Sequence, residues 1–223
     1  MQLVIANKNY SSWSLRPWLL MKHFGISFDE IHIWLGQDDT AQQIAEYSPS
    51  GRIPCLIDEN RVAIWDSLAI AETLAERFPQ HALWPRDAAA RAHARSVSAE
   101  MHSGFSALRN EMPMKIRSTL PGQGATPEAL ADVARIDAIW CECLEQYGGP
   151  FLFGDFSIAD AMFAPVVMRF NTYRPALSPK AAAYVAHLTA QPATQVWIYD
   201  AQVEGHAIGR YETDADTASA TAA

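Results

Sequence analysis

The sequence predicts an α/β domain of order βαβαββα followed by an all-α helical domain. Three observations carry this expectation. Short apolar or alternating runs interleave with helical periodicities up to residue 78. The stretch Pro79 to Pro85 then holds two prolines and few strong helix formers, and each longer segment beyond it repeats its apolar residues at helical spacing. The expected division is a first domain over 1–79, a helical domain over 86–210, and a disordered tail over 211–223, where small and polar residues mix with scattered acids.

Taken in order, Gln2 to Ala6 reads as a buried strand, and Ser14 to Phe24 as a helix stopped by Gly25. Phe28 to Trp34 alternates like a strand, and Thr40 to Tyr47 suits a short helix before the turn residues Ser48-Pro49-Ser50-Gly51. Pro54 to Asp58 and Val62 to Trp65 are short strands joined by a turn at Glu59-Asn60-Arg61. Ser67 to Arg77 spaces Leu68, Ile70, Ala71, Leu74 and Ala75 as a helix does. Beyond the linker, Asp87 to Leu120 reads as one long helical run broken at Pro113. Further helices follow at Pro127 to Tyr147, Ser157 to Thr172, Pro179 to Ala190 and Ala193 to Gln202.

Composition narrows the function. The chain has 223 residues, 49% of them hydrophobic, enough for a sizeable core. A net charge of -8 and no dense lysine or arginine cluster argue against nucleic acid as a partner. No run approaches eighteen apolar residues, and Met1 to Ala6 is too short for a signal peptide. The expected setting is therefore the cytoplasm, away from membranes. Three cysteines make an odd count and speak against a disulfide framework. Cys141 and Cys143 lie two apart on a helix and face different sides, so no metal site is expected.

Three short motifs sit where a strand or turn hands over to the next element. In Tyr10-Ser11-Ser12-Trp13-Ser14-Leu15-Arg16-Pro17-Trp18, a serine hydroxyl meets the free N–H groups of a helix start, a place suited to an anion such as a thiolate or to a plain cap. In Ser48-Pro49-Ser50-Gly51-Arg52-Ile53-Pro54, a cis Ile53-Pro54 bond would turn the N–H and C=O of Ile53 toward a groove, where a peptide backbone could pair with them. Arg52 beside it could meet a carboxylate or stay solvated. At Trp65-Asp66-Ser67-Leu68, Ser67 and the following amides suit a carboxylate while Asp66 suits an ammonium, or the pair caps the helix.

The three motifs on a βαβαββα unit, with helices after it, resemble the cytosolic glutathione transferase family over roughly residues 2 to 202. Ser11 to Trp18 resembles the serine pattern of its zeta class, which includes maleylacetoacetate isomerases. Ser48 to Pro54 resembles the family's loop before a cis-proline, and Asp66-Ser67 its acidic residue and serine for the γ-glutamyl group. Gly154 to Asp160 resembles its capping box and hydrophobic staple, with Ser157 and Asp160 in a folding role.

The resemblance implies a thioredoxin-like first domain, glutathione as co-substrate held by Arg52, Ile53, Pro54, Asp66 and Ser67, and a homodimer. It implies Ser11 as the hydroxyl beside the glutathione sulfur, with Ser12 and then Tyr10 as alternatives. A small hydrophobic electrophile is expected between the domains, against Trp13, Met112, Met114 and Ile116. Lowering a thiol pKa from near 8.5 by two units takes about 2.7 kcal/mol, within reach of one hydroxyl plus a helix start. The chain departs from the zeta pattern in two places. Trp13 stands where that class has a cysteine after its serines, and Thr172 stands twelve residues past Asp160, where its isomerases have an arginine for a substrate carboxylate. A non-catalytic scaffold is the rival expectation. A thiol-disulfide reductase is disfavoured because no cysteine lies between Met1 and Arg52.

Overall fold

The computed structural model describes residues 1–209; the expected tail over 211–223, and residue 210, lie outside the described residues. Strand β1 (Gln2–Ala6) pairs in parallel with β2 (Asp29–Ile33) and antiparallel with β3 (Cys55–Ile57). Strand β4 (Ala63–Trp65) pairs antiparallel with β3, so the mixed sheet runs β2-β1-β3-β4. Successive strand side chains point to opposite faces, and β1 therefore feeds two cores. Leu3 and Ile5 join Leu15 and Leu19 of α1 (Ser12–His23) and Ile70 and Leu74 of α3 (Ser67–Arg77). Val4 lies instead with Ile33, Cys55 and Ile44 of α2 (Thr40–Ala45). This is a thioredoxin-like domain. Helix α1 starts two residues before the sequence reading because Ser11, not a later residue, is its cap.

The rest is an all-α domain of α4 (Ala88–Ser103), α5 (Ser106–Glu111), α6 (Pro127–Tyr147), α7 (Ile158–Tyr173), α8 (Pro179–Ala190) and α9 (Pro192–Val203). Helix α7 is buried on nearly every side, packed against α1, α4 and α8, as a core helix that is apolar all round should be. Its start is a capping box. The Asp160 carboxylate accepts the Ser157 N–H at 2.9 Å and the Ser157 hydroxyl at 3.2 Å, and also the Leu152 N–H and the Tyr184 hydroxyl, each at 3.0 Å.

Of the helical run expected over Asp87 to Leu120, the break at Pro113 stands, because α5 ends just before that proline. Two features are corrected: a second break near Gly104 and no helix from Pro113 to Leu120. Helix α4 ends at Ser103, Phe105 turns left-handed at φ 59°, and α5 stops at Glu111. The Arg109 guanidinium explains the early break, since it donates to the carbonyls of Met101, His102 and Gly104 that the ended helix leaves free. Beyond Met112, whose N–H still donates to the Leu108 carbonyl, Pro113 has no N–H to offer and three of the later amides bond to distant groups. Ile116 N–H donates to the Asn9 carbonyl, Arg117 N–H to the Asn9 side chain, and Leu120 N–H to the Thr172 carbonyl. Among the described residues no helix is long and apolar enough to cross a membrane.

Candidate active site

The first motif forms the turn from β1 into α1. Ser11 is the N-cap: its hydroxyl oxygen accepts the Ser14 N–H at 3.4 Å and lies 2.7 Å from the Ser14 hydroxyl, which itself accepts the Ala6 N–H. Ser11 and Ser12 are nearly buried and line one cavity of about 660 Å³. Tyr10 borders it too, but its hydroxyl accepts from Arg117 at 3.0 Å and from the Ile208 N–H.

The second motif supplies the neighbouring wall. Gly51, at φ 67°, turns the chain where a residue with a Cβ would be strained. The Ile53-Pro54 bond is cis. Neither the N–H nor the C=O of Ile53 bonds to another group among the described residues. The third motif caps α3: Asp66, at φ 74°, accepts the amides of Leu68 at 2.8 Å and Ala69 at 3.4 Å. The hydroxyl of Ser67 is buried and has no hydrogen-bond partner among the described residues. Arg52, Ile53, Pro54, Asp66 and Ser67 thus line a second cavity of about 480 Å³, which shares Trp13, Arg52 and Ile53 with the first. The two cavities adjoin. Unpaired backbone groups at one end and an unpartnered buried hydroxyl beside a carboxylate at the other fit a short peptide with an amino-acid head.

The helical domain adds residues that sequence reasoning missed. His102 of α4 reaches Asp66 at 3.2 Å and meets Trp13 edge to face at 5.3 Å. Burial holds its imidazole below the ordinary range, and the nearby Arg16 and Arg109 add to this while Asp66 opposes it. Trp13 is flanked by two guanidinium groups, Arg16 at 4.3 Å and Arg109 at 4.8 Å from its ring centre. Arg16 is fully buried and donates to the Met162 carbonyl. Burial, then the charges of Arg109 and Arg169, hold it well below its ordinary pKa, with Asp66 pulling the other way. The Ser11 to Trp18 motif contained Arg16, but nothing in the sequence revealed its neighbours from α5 and α7.

Of the four residues expected to line the electrophile's pocket, Trp13 and Met114 border the larger cavity. Met112 and Ile116 do not, which corrects the expectation. Without a helix over 112–120, Met112 turns into the core at 1% exposure and Ile116 packs against the same core. Arg169 is buried in the cavity wall and donates to the carbonyls of Met112 and Pro165. Thr172 is buried and donates to the Lys115 and Met168 carbonyls, which fixes it as a packing residue.

Fold and site together define a thioredoxin-like domain whose peptide-sized cleft is completed by an all-helical partner domain. Residues 10–77 match the N-terminal domain of glutathione S-transferase, and residues 88–187 match its C-terminal domain. The chain is 30% identical over 173 residues to the maleylacetoacetate isomerase of Mus musculus, covering 75% of this chain and 77% of that protein. It is 28% identical over 173 residues to the probable maleylacetoacetate isomerase of Caenorhabditis elegans, covering 75% and 78%. A glutathione transferase homolog from Burkholderia GL BGR1, solved with bound glutathione, superposes with a TM-score of 0.69 at 26% identity, over 91% of this chain and 98% of that one. The chain belongs to the glutathione S-transferase family.

Proposed function

We propose that the chain is a glutathione transferase that binds glutathione along Arg52, Ile53, Pro54, Asp66 and Ser67 and holds its thiol as a thiolate beside Ser11. The observation that carries this reading is the pairing of an unbonded Ile53 backbone with a helix-capping hydroxyl across two adjoining cavities. Turning the Ser11 O–H about its Cβ–Oγ bond exchanges Ser14 for a sulfur acceptor. The hydroxyl acts as a donor, not a base, and Ser12 is next in line. The start of α1 adds a favourable dipole. The thiolate then attacks an electrophilic carbon, or adds to an activated double bond and leaves again, giving conjugation or isomerisation.

The larger cavity bears on the electrophile. Arg52, Arg109 and Arg169 line it and, among the described residues, no acidic side chain does. An electrophile with a carboxylate as well as an apolar body suits that wall better than a purely hydrophobic one. The protein works in the cytoplasm as a homodimer on this reading. The dimer is supported by exposed Trp65 on the edge strand of the sheet and exposed Val62 just before it, apolar side chains of the kind that partners cover.

The test is ultraviolet thiolate absorbance of glutathione mixed with the protein near pH 7, for the native protein and Ser11→Ala. A charge-assisted hydrogen bond of about 1.5–3 kcal/mol corresponds to about one to two pH units on the thiol. The native protein should show the thiolate and the variant lose it. No signal from the native protein would leave the scaffold reading in its place.

A further inference from the structure

The turn from Asn7 to Ser11 delivers the cap hydroxyl, and its amides can be followed one by one. The N–H groups of Tyr10 and Ser11 donate to the Asn7 carbonyl at 3.2 and 2.8 Å, closing the turn on itself. Those of Lys8 and Asn9 point out of the turn and need a partner from elsewhere. That partner is Glu204, at the C-terminal end of α9. One carboxylate oxygen accepts the Lys8 N–H at 2.7 Å and the other accepts the Asn9 N–H at 3.0 Å. The Glu204 side chain is 5% exposed.

The surroundings fix Glu204 in turn. His32 lies 3.2 Å from the oxygen that takes Lys8. The Glu204 carbonyl accepts from Arg117, whose guanidinium also donates to the Tyr10 hydroxyl and the His206 carbonyl. His206 stacks on Trp34 at 3.9 Å, and Ile208 is buried against Gly36. On the far side of the turn, the Trp197 indole donates to the Lys8 carbonyl at 3.0 Å. The turn is thus gripped on its amide side by one carboxylate, from the residue that caps the C-terminus of α9, and on its carbonyl side by one indole from α9 itself.

We infer that Glu204 is a positioning residue for thiol activation: its carboxylate fixes the peptide planes leading into Ser11 and so sets where the Ser11 hydroxyl stands relative to the glutathione sulfur. A residue that only glued the two domains together would have no need to take two successive amides of this turn. Lys8 provides the contrast. Its ammonium pairs with Glu30 at 2.7 Å and Asp200 at 2.8 Å, which binds the same elements without touching a backbone amide of the turn. The inference rests on the proposed role of Ser11.

Glu204→Gln keeps the side chain's length but puts an amide N–H₂ against one of the two backbone donors. The measurement is the thiol titration of bound glutathione by ultraviolet absorbance, with kcat and glutathione affinity, on the native protein, Glu204→Gln and Asp200→Asn. Glu204→Gln should raise the bound thiol's pKa by about one unit and lower kcat about tenfold, while the glutathione Kd stays within about twofold. Asp200→Asn should lower the melting temperature and leave the titration where it was. Glu204→Gln titrating like the native protein overturns the inference, and so does Asp200→Asn shifting the titration equally. A native protein without a thiolate signal is a different failure: it removes the reading of Ser11, and this inference with it. Should Glu204→Gln not fold, Glu204→Asp keeps the charge on a shorter arm and should give a smaller shift in the same direction. In the native protein the Lys8 and Asn9 amides should exchange with solvent slowly, and fast exchange of both would also overturn the inference.

Discussion

Asp160 offers a pH experiment whose sign and size follow from its surroundings. Its carboxylate is fully buried and accepts four donors, from Leu152, Tyr184 and twice from Ser157. Burial nonetheless wins and pushes the carboxyl from 3.8 up to about 6, against the pull of those hydrogen bonds. The unfolded chain loses this proton near 3.8, so between 3.8 and about 6 the native state holds a proton that the unfolded state has released. The resulting stability is fully present below 3.8 and is lost as pH rises through about 6. A difference of about 2.2 units at about 1.36 kcal/mol each makes the loss roughly 3 kcal/mol. Asp160→Asn cannot titrate. It puts an N–H₂ where two donors already point, an offset that does not change with pH. Denaturant unfolding of both proteins between pH 3.5 and 7.5 should therefore show the native-minus-variant stability falling by about 3 kcal/mol with rising pH. Other titrating groups cancel in that difference. A flat difference, or one that grows with pH, would refute the reasoning.

Two further outcomes are expected. Arg109→Met should cut kcat/KM about tenfold or more for an electrophile bearing a carboxylate, and far less for its methyl ester, because a hydrogen bond to a charged group is worth about 1.5–3 kcal/mol; equal losses for both would remove Arg109 from substrate recognition. Among the cysteines, burial pushes Cys143 up to about 12 and Cys55 upward as well, while Cys141 is only half-buried. A thiol reagent at pH 8 should therefore label Cys141 first in the folded protein, as read by peptide mass spectrometry, and early labelling of Cys143 would contradict its burial.

How far the sequence could be read depended on whether a residue's partners were local. Helices α3, α6 and α8 carried their own signals in apolar spacing and caps, and their ends stand where the periodicity and the Pro and Gly residues put them. The turn carrying Gly51 and the cap at Asp66 were legible for the same reason. The stretch from Gly104 to Leu120 was legible only in part. The break at Pro113 could be read, but the one near Gly104 could not: the apolar spacing continues through it, and what accompanies it is a side chain, Arg109, while acceptors on Asn9 and Thr172 far away in sequence take amides of residues 116–120. Met112 and Ile116 were placed in the pocket wall by residue type, which does not say which way a side chain turns. Arg169 and His102 were missed in a related way, since a lone arginine or histidine on a helix gives no sign of which cavity it faces.

The grip of Glu204 on residues 8 and 9 has a consequence for the order in which the molecule is completed. The sheet closes over short spans, with β1 finding β2 and β3 within the first 57 residues. The amides beside Ser11 wait for a partner that lies 196 and 195 residues further along the chain. Closing so long a loop adds only a little entropy over closing one half its size, because the cost grows with the logarithm of length. Its effect is on timing. A chain still being synthesised can hold a paired sheet and a folded α1 while the turn between them lacks its clamp, so one of the first turns made is among the last to be finished.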